Sequence, residues 1–121
     1  MSKMKNLKDA IGLLLGALGY EVYSEAAPDT ATYPYLVYDL PNSTDDGTLE
    51  NFILDVDGWD DNTNTTDLEA MMAAADAVLH RQTVYTSGTV CLTMYREHRL
   101  NLRDSDKRIR RRKYIYQART H

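Results

Sequence analysis

Apolar and polar residues alternate from Phe52 to Trp59. Phe52, Leu54 and Val56 point one way, and Ile53, Asp55, Asp57 and Trp59 point the other. A strand with one buried face requires this period of two. The run Asp60-Asp61-Asn62-Thr63-Asn64-Thr65 then breaks the pattern, being too polar to continue a core element. After it the period becomes 3.6, which places Leu68, Met71, Met72, Ala75, Val78 and Leu79 on one side of a helix. Thr66 and Glu69 stand at capping-box spacing and predict where that helix starts.

The flanking segments extend this unit. Residues 5–18 predict a first helix, with Leu7, Ile11, Leu14, Leu15 and Leu18 on one stripe, Asn6 as N-cap and Gly19 ending it. Gly12 and Gly16 weaken it, or permit close approach of another helix. Tyr20 to Tyr23 predict a short strand, residues 24–32 a loop, and Tyr33 to Leu40 a second strand. Pro34 lacks an N–H, which puts it at the beginning of that strand or on an edge, and Pro41 is expected to close it. Residues 42–49 predict a polar connection turning at Asp45-Asp46-Gly47, so the second strand and the central one should pair antiparallel. Past the second helix, residues 82–87 link onward with a brief extended piece at Val84-Tyr85. A strand over Thr89 to Arg96 follows, then a polar stretch turning at Asp104-Ser105-Asp106, and a last strand from Ile109 to Ala118. The expected fold is α+β in the order α-β-β-β-α-β-β, a mainly antiparallel sheet packed by two helices, as one domain over residues 1–121.

Composition narrows the function classes. A chain of 121 residues suits one core, and its aliphatic runs are too short for a membrane helix. Lys8 and Asp9 abut the apolar run from Ile11 to Leu18, so residues 1–19 read as an amphipathic helix and not a signal peptide. Cys91 is the single cysteine, so no intrachain disulfide can form; Val90, Leu92 and Met94 around it point to a packed thiol. The net charge of −4 conceals a division. Residues 1–80 hold three basic and fifteen acidic side chains, whereas residues 81–121 hold eleven basic and three acidic. Such asymmetry points to charged partners or to head-to-tail self-association, unless folding interleaves the two halves.

Candidate chemistry is sparse. Asp55 and Asp57 share one face of the central strand, with Asp60 and Asp61 just beyond. They could hold a hard cation, or simply form the solvent side of an amphipathic strand. His80, His98 and His121 share no ligand spacing, and no G-x-S-x-G is present. No enzyme activity, metal or cofactor is expected. The strongest charge run is Lys107-Arg108-Ile109-Arg110-Arg111-Arg112-Lys113. On a strand it places charge on both faces, so it is expected to extend past the sheet in a long hairpin. There it serves phosphate contact or docking to an acidic neighbour, or forms an edge kept soluble by charge. Nine tyrosines dominate the aromatics, and Tyr33, Tyr35 and Tyr38 suit interface or half-buried sheet positions.

The strand Tyr33-Pro34-Tyr35-Leu36-Val37-Tyr38, and the apolar strand Phe52 to Trp59 with its polar break and long helix, resemble the tail-completion or tail-terminator proteins of long-tailed bacteriophages. The resemblance spans Leu7 to Ala118 and consists of a pattern of elements without a catalytic signature. It implies a structural virion protein of the tail or neck, assembled in the host cytoplasm. Such proteins form homo-oligomeric rings, commonly hexamers, at the head-proximal end of the tail tube. They end tube polymerisation and offer a docking surface to the head connector, while genome DNA passes the lumen without specific recognition. The expected partners are therefore further copies, the tail tube protein and a head-connector or neck protein, with no membrane. A ring uses heterologous contacts, and the charge division suits them. The expected interface residues are Arg108, Arg110, Arg111, Arg112 and Lys113 against Asp45, Asp46 and Glu50 of a neighbour. The alternatives are another head–tail neck adaptor, or a nucleic-acid-binding module using residues 107–113.

Overall fold

The computed structural model describes residues 3–45, 50–62, 64–85, 91–103 and 108–120. Its elements are α1 (Lys3–Gly16), β1 (Glu21–Ser24), β2 (Tyr35–Asp45), β3 (Glu50–Asp60), α2 (Thr66–Leu79), β4 (Thr83–Tyr85), β5 (Cys91–Arg103) and β6 (Arg110–Thr120). This is the expected α+β order, with the brief extended piece near Val84 present as β4. The six strands form one sheet in the order β1-β2-β3-β6-β5-β4. β1 pairs parallel to β2, and the other ladders are antiparallel.

Alternation on the strands and periodicity on the helices meet in a single core. Leu36, Tyr38 and Leu40 of β2, Phe52, Leu54 and Val56 of β3, and Tyr114, Tyr116 and Ala118 of β6 turn to one side. Leu7, Ile11 and Leu15 of α1 and Leu68, Met71, Met72, Ala75 and Leu79 of α2 cover them. Both helices thus lie on one face of the sheet, and among the described residues no helix covers the other face. Water removal from these side chains supplies the main driving force for the fold.

The structure corrects several local expectations. β2 does not stop at Pro41; its ladder with β3 resumes at Asn42 after a register shift beyond Asp39. A bulge absorbs the missing N–H. β5 likewise continues to Arg103 through a shift between Arg96 and His98. α1 already includes Lys3, so Asn6 lies within the helix and does not cap it. Thr65 is the N-cap of α2 and makes no side-chain capping bond. Instead Asn64 Oδ1 accepts from the Thr66 N–H at 3.0 Å and the Thr66 hydroxyl at 2.6 Å. With Thr65 as N-cap, Glu69 stands one residue past the capping-box position, and its carboxylate accepts from Arg112 on β6 at 2.6 Å. The expected turns at Asp45-Asp46-Gly47 and Asp104-Ser105-Asp106 fall, beyond Asp45, outside the described residues.

Gly12 permits a close approach, by the sheet and not by a helix. A Cβ there would stand 2.7 Å from the Tyr38 hydroxyl, which donates to the Lys8 carbonyl at 3.1 Å. Gly12→Ala should therefore fail to gain the ~1 kcal/mol that alanine normally adds in a helix. In a Tyr38→Phe background the nearest remaining ring atom is 3.5 Å away, and the gain should reappear. Urea midpoints of the four variants test this; equal effects of Gly12→Ala in both backgrounds would refute it.

Candidate interaction surface

The helix-free face is organised by charge and aromatic stacking. Residues alternate along β3, so Asp55, Asp57 and Trp59 stand on this face opposite the core residues. The antiparallel register places Ile115, Lys113 and Arg111 of β6 directly beside them. Arg111 pairs with Asp57 at 3.2 Å, and Lys113 lies 3.8 Å from Asp55 and 3.9 Å from Asp57. Burial pushes the Asp57 carboxyl up from its ordinary range, while Arg111 and Lys113 act against that shift. The Arg111 guanidinium also sits 4.4 Å over the Trp59 ring. Trp59 stacks on Tyr35 at 6.2 Å, and Tyr35 contacts Tyr23 and Tyr33 at 6.0 and 5.3 Å. Such contacts fix the outline of a half-buried face.

A second polar group stitches the core side together. Asp76 of α2 accepts from the Tyr116 hydroxyl at 2.6 Å with one carboxylate oxygen and pairs with Arg96 of β5 through the other. His80, just past α2, accepts the Arg96 N–H on Nδ1 at 2.9 Å. The sequence reading missed this cluster, although it left a signal. Asp76 follows Met72 by four residues and Leu68 by eight, which puts a carboxylate on the apolar stripe, where it needs a partner.

The structure disperses the expected interface residues. From Arg110 to Lys113 the basic run does not extend past the sheet but occupies its centre, between β3 and β5. Opposite charges on β3 and α2 make this central position tolerable. Arg111 and Lys113 meet Asp57 and Asp55 on one face, and Arg112 meets Glu69 on the other. The acidic and basic halves of the chain thus interleave. The pair Asp55 and Asp57 faces cations of β6 and so has its charge met by side chains. Arg108 is exposed at the other end of the strands from residues 45 and 50, which face each other at the close of the β2–β3 ladder. Asp46 lies outside the described residues.

The surface also carries two depressions among the described residues. An apolar groove of about 630 Å³ is lined by Ala10, Leu13, Leu14, Leu18, Val78 and Val84, and Leu13 there is 77% exposed. A smaller polar cleft of about 220 Å³ is lined by Tyr33, Asp61, Arg108 and Ile109. No helix is long and apolar enough to cross a membrane, among the described residues.

A one-sided sheet with an ordered outer face and an apolar groove defines a small α+β protein whose organised surfaces suit contact with other chains. The chain belongs to the tail completion protein gp17 family, whose profile matches residues 7–121. It is therefore a structural protein of the phage tail, as the resemblance carried by the Tyr33–Tyr38 and Phe52–Trp59 strands implies. A chain in the virion of a native gene transfer agent particle is similar in fold. The TM-score is 0.76 at 18% identity, over 99% of this chain and 98% of that one. None of the curated proteins matches it in sequence.

Proposed function

We propose that copies of this chain close into a ring, of six by the expectation above, at the head-proximal end of a tail tube. The ring ends tube polymerisation and presents the docking surface for the head connector. Its place is the neck of the virion, its role is structural, and genome DNA passes through its lumen without specific recognition. Membership in the tail completion family over residues 7–121 carries this reading.

The two ends of the sheet give it physical content. Residues Asp45 and Glu50, with Asp46 between them in the chain, stand at one end of the strands; Arg108 and Arg110 stand at the other. We take the strands to run along the ring axis, so that these two ends meet the layers above and below. We therefore assign these residues to the tube and connector sides. Arg111, Arg112 and Lys113 instead hold β6 in place through Asp57, Glu69 and Asp55. That internal pairing weakens the nucleic-acid reading of residues 107–113, since a phosphate would compete with partners already in place.

Native mass over a range of protein and salt concentrations, with and without purified tail tubes, tests the ring. The expected result is a discrete ring-sized species that caps tubes and stops their elongation. Tubes that elongate undiminished while the protein binds only connectors would move it to another layer of the neck. Absence of any oligomer and of binding to either partner would overturn the proposal.

A further inference from the structure

The sheet has two uncovered edges that lie on the same level. The ladders align Glu21 with Tyr35, Trp59, Arg111 and Leu102 in one row across the sheet. They align Ser24 with Tyr38, Val56, Tyr114 and Arg99 in another. β1 therefore ends the sheet on one side at the height where Arg99–Leu102 of β5 end it on the other.

β4 does not cover that part of β5, because it pairs only with Cys91–Thr93. Residues 80–82 take the next positions, through the Arg81 N–H to Met94 O, the Met94 N–H to Gln82 O and the Arg96 N–H to His80. Past the bulge after Arg96 the outer edge of β5 has no backbone partner among the described residues, and His98, Arg99, Leu100 and Asn101 are exposed. On β1 the outward residues are Val22 and Ser24: among the described residues Val22 has no backbone partner there, and of Ser24 only the carbonyl has one, accepting the Ala26 N–H at 2.8 Å. Bare edges are templates for strand pairing unless something covers them.

Polarity and chemistry name the occupant. β1 runs with β2, and three antiparallel ladders separate β2 from β5, so β1 and β5 run in opposite directions. A second copy in the same orientation thus brings its β1 antiparallel to the bare part of β5. In the shared rows, Tyr23 of one copy falls opposite Leu100 of the next on the helix-free face. Leu100 is 40% exposed in the single subunit, and an aromatic opposite an aliphatic side chain is a favourable cross-strand pair. The acidic Glu21 begins β1, and Glu25 just past it is paired with Lys8, whereas His98 and Arg99 lie on the β5 edge.

We infer that, within the ring read above, neighbouring copies join edge to edge. β1 of one pairs antiparallel with Arg99–Leu102 of β5 of the next, and the sheets become continuous around the assembly. The contact is heterologous, as a closed ring requires, and uses main-chain hydrogen bonds in the manner of strand addition.

Cross-linking tests it. Tyr23 and Leu100 lie four strand spacings apart within one subunit, roughly 19 Å, beyond the reach of an intrachain disulfide. In a Cys91→Ser background, Tyr23→Cys with Leu100→Cys should give an oxidation-dependent ladder of covalent oligomers ending at the ring size, and neither single variant should. Ser24→Pro acts on the edge itself. The Glu25 N–H bonds the Tyr38 carbonyl, so by strand alternation the Ser24 N–H points outward. Its loss should cut the ring population at least ten-fold while circular dichroism and the melting temperature stay near wild type. Leu100→Lys should act likewise. Rings that form normally in folded Ser24→Pro and Leu100→Lys, with no ladder from the double cysteine variant, would overturn edge pairing and leave the ring reading standing. A wild-type protein that forms no ring even on tail tubes would overturn both.

Discussion

Gly58→Val is expected to destabilise the protein by about 1–3 kcal/mol, the range for overpacking a filled core. Gly58 lies on the core side of β3, directly beneath α2. A Cβ built there would stand 2.5 Å from Met72 Sδ, 3.0 Å from Met71 Cε and 3.3 Å from Leu68 Cδ1. All three of those side chains are fully buried, so none has solvent to swing into. Methionine can adjust part of the way, and Gly58→Ala should accordingly cost less than Gly58→Val. A glycine inside a strand weakens it unless something approaches closely; here the helix does. Urea unfolding with an unchanged m-value and a lowered midpoint would bear this out. A midpoint equal to wild type would show that α2 can lift from the sheet without cost.

Asp76→Ala should rank beside it, at about 2–4 kcal/mol. Asp76 answers two groups at once. The substitution leaves the hydroxyl of the fully buried Tyr116 without an acceptor and Arg96, whose side chain is 23% exposed, without its anion. Adding Tyr116→Phe should recover part of the loss, because an apolar ring has no donor to satisfy. The same cluster carries a pH signature. Burial, then the bond to Asp76, holds the Tyr116 hydroxyl far above its ordinary range. A phenol whose folded pKa is raised contributes stability that is fully present below the unfolded value, about 10, and is lost as pH rises past it. Wild-type stability should therefore fall more steeply between about pH 9.5 and 11 than that of Tyr116→Phe. Parallel curves would exclude Tyr116 as the source.

Much of the frame was legible in the residues. Alternation from Phe52 to Trp59 assigns the buried face of β3 correctly, and the spacing of Leu68, Met71, Met72, Ala75 and Leu79 gives the buried side of α2. These patterns are local, because period and burial are coupled within a single element. The path of β2 beyond Pro41 was not legible, since a bulge can pass a proline that an unbroken ladder cannot. The capping box failed because the helix starts one residue earlier than its spacing predicts, with Thr65 as N-cap, and Glu69 turns to Arg112, forty-three residues away.

The candidate surface divides in the same way. The residues alone determined the α+β class, the element order, the core stripes and the tail-completion resemblance, because each rests on short-range pattern. Tertiary structure decided where the charges went. A run of arginines reads as a protruding segment only while its partners are unseen. β3 brings Asp55 and Asp57 beside Lys113 and Arg111, and α2 brings Glu69 to Arg112, so the most basic strand becomes central. Only the ladders, likewise, set β1 level with the bare half of β5. Register is a long-range quantity, fixed by which faces must be buried together, and no window along the chain contains both of those edges.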